Sequence, residues 1–136
     1  MLLIPTFVAL SKIHGYGVFT SVDVKEDTVV WEFNSSVDQM FLDDEFDAML
    51  NVLSKENAKK IYSWSYHENG HWILCGDNAK FFNHSNNPSC KDTMGLLITT
   101  AKRNLIAGEE LTSDYNNIDD NNRKLNEIIT SYDWNG

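Results

Sequence analysis

The 136 residues predict a mostly β fold with inserted helices. Three observations carry that expectation. Residues 6–33 alternate short apolar runs with turn signals, the mark of strands. Residues 37–61 space their apolar side chains for one face of a helix instead. From residue 62 onward aromatic-rich runs return, interrupted by "ENG".

The length suits one domain, and a 42% hydrophobic composition can fill its core. No apolar run approaches the roughly 20 residues that span a bilayer. The opening "MLLIPTFVAL" has no basic flank and is interrupted by Pro5, so it reads as a first strand or short arm rather than a signal peptide. An intracellular chain, cytoplasmic or nuclear, is the expectation. Cys75 and Cys90 are too few for a disulfide framework and read as reduced thiols in the core or in loops. A net charge of −9 repels phosphate backbones, so direct nucleic-acid binding is disfavoured and basic partners are favoured. Solubility alone also accounts for the charge.

Taken in order, "FVAL", "VFTSVDV" and "TVVWEF" are strands, with turns at "SKIHGYG", "KED" and "NSS". Phe41, Leu42, Phe46, Met49, Leu50 and Leu53 then follow helical spacing. Asp43, Asp44, Glu45 and Asp47 crowd the first turns of that helix, where the backbone dipole favours acids. A role in gripping a basic substrate is the second reading of these acids. "WSYH" and "HWILC" form a hairpin around "ENG". "GLLITTAKRNL" is another strand, "IAGEEL" a turn and "LTSDY" a short closing segment. Asp119 or Asp120 caps a short last helix through Thr130, ahead of the tail "SYDWNG".

Three segments stand out chemically. "HGYGVF", residues 14–19, sets two glycines one residue apart at a turn, where a backbone can approach a ligand closely. A plain β-turn also explains it. "FFNHSNNPSC", residues 81–90, stops an apolar run abruptly on Asn83, His84 and Ser85. Either a strand ends there in a surface loop, or the amide and imidazole sit beside something they hold. "GEELTSDY", residues 108–115, is a glycine turn with acids, a strand and then Tyr115.

The order and spacing of these segments resemble the SET-domain protein lysine methyltransferases, with the match running from about Ser11 to Tyr115. "AKFFNHSNNPSC" is similar to that family's Asn-His-Ser segment, with Lys80 where an arginine is frequent. "AKRNLIAGEELTSDY" is similar to its last core segment. The resemblance implies a β-clip of small curled sheets with a C-terminal pseudoknot, in which the chain at Asn83–Ser85 passes under a C-terminal loop. It implies a single SET domain over residues 1–136, with a core at about 6–115, a helical insert at about 37–61 and a lid at 116–136. The implied cofactor is S-adenosyl-L-methionine. Gly15, Tyr16 and Gly17 would approach its methionine end, the Asn83 amide would accept a bond from its amino group, and the His84 backbone would read its adenine edge.

The resemblance further implies a narrow channel for a substrate lysine. Phe33 falls where the family often has a tyrosine, and Tyr66 is a second wall residue. Tyr115 matches the catalytic tyrosine. Its reference pKa of about 10 argues for orienting the amine or the methyl group rather than acting as a strong base. An apolar channel beside a cationic cofactor would lower the amine pKa. Ser113 stands where many relatives carry a phenylalanine or tyrosine that controls methylation number, and leaves room beside the amine.

Two departures alter the family pattern. Asn86 follows Asn-His-Ser where many members place a zinc-binding cysteine, and no cysteine follows Tyr115, so no metal is expected. Something else must then cover the cofactor. Tyr132 and Trp134 are the large aromatics left in the tail, which reads either as that cover or as a frayed end. The expected activity is methylation of a lysine amine on a basic protein or peptide, histone-like or other, without membrane or direct nucleic-acid contact. A homodimer would help build the peptide groove. The alternatives are a SET-like module that binds peptide or cofactor without catalysis, and a structural β domain.

Overall fold

A computed structural model describes residues 1–68, 70–93 and 95–114. The first two strands, β1 (Thr6–Leu10) and β2 (Tyr16–Thr20), form an antiparallel hairpin running from Thr6↔Thr20 to Leu10↔Tyr16. The turn closes through Ser11 N donating to Gly15 O at 2.7 Å. Gly15 sits there at φ +48°, a left-handed conformation that costs glycine least. Strand β3 (Val29–Glu32) follows, as expected from "TVVWEF".

The insert differs from a single helix. Gln39–Leu42 is a strand, β4, pairing antiparallel with β6 (His71–Leu74). Phe41 and Leu42 therefore belong to a ladder, not to the helical face. Helix α1 (Asp43–Val52) starts directly after it. Leu42 has no side-chain oxygen to cap with, but its N–H donates to Glu45 Oε1 at 2.9 Å. The chain breaks at Leu53, and Ser54 starts a second helix, α2 (Lys55–Ser63), by accepting from Asn57 N at 3.2 Å. Both helices bury one face. Phe46 stacks on Trp72 at 4.4 Å between centroids, and Tyr62 tilts against the same indole at 5.3 Å. Such ring contacts add about 0.5–1.5 kcal/mol beyond the area they bury.

The expected hairpin forms between β5 (Ser65–Glu68) and β6, with Ser65 opposite Leu74. "NAKF" is one turn of 3-10 helix rather than a strand, because Asp77 caps it by accepting from Ala79 N at 3.0 Å. The strand that follows, β7, is only Asn83–His84. Cys90–Thr93 forms β8, an element that polar "CKDT" does not announce. Strand β9 is Ile98–Ala101, shorter than "GLLITTAKRNL", and β10 is Glu110–Ser113.

Among the described residues the strands form three small sheets, ordered β1-β2-β10-β7, β3-β9-β8 and β4-β6-β5. Val18, Val24, Val30, Cys90, Ala101, Leu105 and Leu111 form one core, while Trp31, Ile73, Cys75 and Ala79 form another. Strand β10 lies antiparallel to β2 and parallel to β7, at Thr112↔Asn83 and Ser113↔His84. That parallel pair is the described part of the expected crossing. The C-terminal loop, the helix expected at 119–130 and the lid at 116–136 lie outside the described residues.

Candidate active site

The three sequence segments converge on β7 and β10. Asn83 Nδ2 donates to His14 O at 3.1 Å, Tyr16 O at 3.2 Å and Glu110 Oε2 at 3.0 Å. One carboxamide thus ties the glycine turn to the last strand. Glu110 also accepts from Ser11 Oγ at 2.8 Å, which fixes the other side of the turn. Gly17 suits this packing, since a Cβ there would lie 2.5 Å from Glu110 Oε2 and the carboxylate would have to shift. The close neighbour at Gly17 is therefore Glu110 itself, while nothing stands within 4 Å of a Cβ at Gly15. Tyr16 is exposed beside that open space.

Strand β7 is the edge of its sheet. Ser85 N donates to Ser113 O at 3.0 Å, across the pairing of His84 with Ser113. Backbone groups alternate sides along a parallel ladder, so the N–H and C=O of His84 point away from β10 along the sheet's outer edge. The imidazole turns elsewhere, its Nε2 lying 3.0 Å from Asn86 Oδ1 and its Nδ1 3.8 Å from Asp114 Oδ1.

The acceptors at this corner suit the charge of S-adenosylmethionine. The carbonyls of His14 and Tyr16, the Asn83 amide and the Glu110 carboxylate gather in one place, and a ligand ammonium needs such oxygens. The amide of Asn83 spends its donor end on the protein, which leaves its oxygen end for a ligand.

A cleft open to solvent adjoins the β7–β10 pair. Tyr66, Trp31 and Ser113 line it, with Phe82, Asp92 and Thr99 beside them. Trp64 and Lys80 stand in the same wall, the Lys80 ammonium 4.7 Å from the Trp64 ring centre. Trp31 meets Tyr66 edge to face at 5.9 Å. Its indole N–H is buried without a hydrogen-bond partner among the described residues. Burial first, then the nearby Cys75 and acidic groups, push the Tyr66 hydroxyl far above its ordinary value, so it stays protonated. Two expected channel residues, Tyr66 and Ser113, are therefore cleft residues. Phe33 is placed differently: it packs against the core cluster of Trp31 and Ile73 and is not among the lining. Tyr115 and Trp134 lie outside the described residues.

The cleft also holds a group that the sequence reading missed. Asp92 on β8 faces Thr99 on β9 in register, and Thr99 Oγ1 donates to Asp92 Oδ1. Ser113 bonds the same carboxyl. Burial raises the Asp92 pKa, and the two hydroxyls act in the opposite direction. The cleft is thus not uniformly apolar. Among the described residues no group of three or more His, Cys, Asp or Glu is placed to hold a metal ion, and Cys75 and Cys90 are free and buried.

Comparison with known proteins gives a consistent outcome. The SET domain family model matches residues 15–116. The chain is 29% identical over 128 residues to the Drosophila melanogaster histone-lysine N-methyltransferase trr, covering 88% of this chain and 5% of that protein. It is 30% identical over 121 residues to the H3 lysine-36 specific histone-lysine N-methyltransferase of Schizosaccharomyces pombe, covering 80% and 14%. The chain thus spans only a small part of the length of these curated relatives. In fold it is similar to the crystal structure of a candidate histone methyltransferase from Plasmodium falciparum, with a TM-score of 0.58 at 15% identity, covering 84% of this chain and 95% of that one.

Proposed function

The chain belongs to the SET-domain family, and from that premise we propose that it is an S-adenosylmethionine-dependent protein lysine methyltransferase acting on a basic, histone-like protein. The observation that carries this reading is the Asn83 amide, which binds the turn at residues 14–17 to β10, the strand whose Ser113 lines the neighbouring cleft. Motifs nearly a hundred residues apart in sequence thereby share one site. The relatives' names support histones as the substrate class, and the −9 charge supports a basic partner. An intracellular location, nuclear where the target is a histone, goes with this reading.

In this proposal the cofactor's ammonium is held by the Asn83 oxygen and the carbonyls of the 14–17 turn, and its adenine by the outward-facing His84 backbone. When bound, S-adenosylmethionine supplies a methyl group on a cationic sulfur, open to displacement by an amine. The protein's contribution is mostly position: a nucleophile aligned in a confined channel gains much of its acceleration from lost freedom already removed. Tyr66 forms a channel wall and offers a protonated hydroxyl. Ser113 leaves space beside the amine, and Tyr115 orients it. Phe33 supports the wall from behind, through Trp31. Tyr132 and Trp134 cover the cofactor.

The test is incubation with cofactor labelled in its methyl group and a mixture of purified histones, followed by mass spectrometry. Label on a lysine amine supports the reading. Binding of cofactor without transfer to any basic protein would replace it with a non-catalytic binding module.

A further inference from the structure

The cleft contains one acid with no ion-pair partner. Asp92 makes no salt bridge among the described residues. Its two hydroxyl donors, Thr99 and Ser113, occupy part of a carboxylate that offers about four acceptor positions. The aromatic rings of Trp31 and Tyr66 line the same cleft. An acid and aromatic rings lining one cleft are the chemistry that binds an organic ammonium, by charge and by cation–π attraction. The chain's own cation at this cleft, Lys80, does not serve Asp92: its ammonium is over Trp64. The other titratable groups that feel Asp92 are the Tyr66 hydroxyl and the thiols of Cys75 and Cys90, all raised by burial and therefore uncharged near neutral pH, and the acids Glu68 and Asp38 act on the same Tyr66.

We propose that Asp92 is the group that receives the substrate's protonated amine and selects a cationic side chain for the cleft. This rests on the lysine methyltransferase reading and adds to it a recognition residue. The role carries a consequence. A carboxylate beside an ammonium favours the charged form, and methyl transfer needs the neutral amine. Asp92 therefore strengthens capture while holding the amine pKa up, and the bound enzyme works better as pH rises. Burial of this acid disfavours its charge, which limits the opposing effect.

The experiment uses two readouts. In the first, the indole N–H signals of the ¹⁵N-labelled full chain are followed by NMR during titration with n-butylammonium and, separately, with n-butanol. The expected result is a saturating shift of the Trp31 signal with the ammonium alone, lost in Asp92→Asn. In the second, Asp92→Asn is assayed on a lysine peptide that the wild-type protein methylates. KM should rise roughly tenfold or more, while the rising limb of kcat against pH moves to lower pH. A packing role would change neither the charge selectivity nor the position of that limb. Thermal unfolding of the variant checks its fold, and the wild-type comparison of ammonium with alcohol stands without any variant. No wild-type response to n-butylammonium, an equal response to n-butanol, or an unchanged response in folded Asp92→Asn would each overturn the proposal. Asp92-dependent ammonium binding in a protein that methylates nothing would leave this inference intact and remove the functional reading instead.

Discussion

Asn83 Nδ2 lies 3.0 Å from Glu110 Oε2, joining a two-residue strand to the start of the last one. The two residues are 27 positions apart, and the same nitrogen also reaches the turn that precedes β2. This contact is the hinge of the site's assembly: it converts three separate motifs into one corner. Removing either partner should therefore act on ligand binding more than on the distant helices.

Asn83→Ala should weaken S-adenosylmethionine binding by roughly tenfold to a hundredfold, the effect of losing a hydrogen bond to a charged group. Isothermal titration on the folded variant reads it directly. Methylation at saturating cofactor should recover much of the lost rate. An affinity equal to wild type would remove Asn83 from the cofactor site.

Gly17→Ala should destabilise the protein by about 1–3 kcal/mol, because the added Cβ would lie 2.5 Å from Glu110 Oε2 and the carboxylate must move off Ser11 and Asn83. The clash depends on Glu110. In a Glu110→Ala background the same substitution should cost clearly less, an interaction that a double-mutant cycle measures by denaturant unfolding. Additive costs would mean that the glycine serves some other purpose.

Both thiols should be inert in the native protein. Burial pushes the Cys90 thiol up to about 12 and the Cys75 thiol higher still. A thiolate is the reactive form, so a colorimetric disulfide reagent at mildly alkaline pH should modify neither residue until the chain is unfolded. The linkage sign follows from a raised folded pKa. The stabilisation is fully present below the unfolded thiol value of about 8.5 and is lost as pH rises from there towards about 12. Rapid labelling of the folded protein would contradict the burial.

Asp92→Asn should be at least as stable as wild type near neutral pH. The acid's pKa is raised by burial, so its native form is more protonated than its unfolded form. Its stabilising contribution is present below the ordinary carboxylate range and declines as pH rises through the folded value. The amide does not titrate, so the variant's advantage should shrink in acid. Parallel unfolding curves across pH show this, and a variant less stable than wild type at neutral pH would reverse the assignment.

Much of the architecture was legible because local patterns agreed with the tertiary result. "FVAL" and "VFTSVDV" pair as adjacent strands, and so do β5 and β6. The helical insert was misread because Phe41 and Leu42 satisfy two periods at once, and only pairing with Trp72 and His71 decides for the strand. Ser54 held a readable signal, a capping hydroxyl three residues before Asn57, that would have divided the insert in two. Strand β8 had none, since "CKDT" is polar and becomes a strand through the ladder with β9. Asp92 escaped for the same reason: an aspartate between Lys91 and Thr93 carries no motif, and only the register opposite Thr99 brings it to the cleft. Asn83, by contrast, stood out because a family segment surrounds it.

The central claim is that this site transfers a methyl group to lysine, with Tyr115 orienting the amine. Single-turnover methylation of one accepted lysine peptide by wild type and Tyr115→Phe, with cofactor affinity measured in parallel, tests it most directly. The substitution keeps the ring and removes one hydroxyl. The account predicts labelled lysine with the wild-type protein, an unchanged cofactor affinity in the variant and a rate lower by roughly 10²–10³-fold, comparable to loss of one positioned transition-state donor. A variant that turns over at the wild-type rate, or a wild-type protein that binds cofactor and labels no lysine, would contradict it.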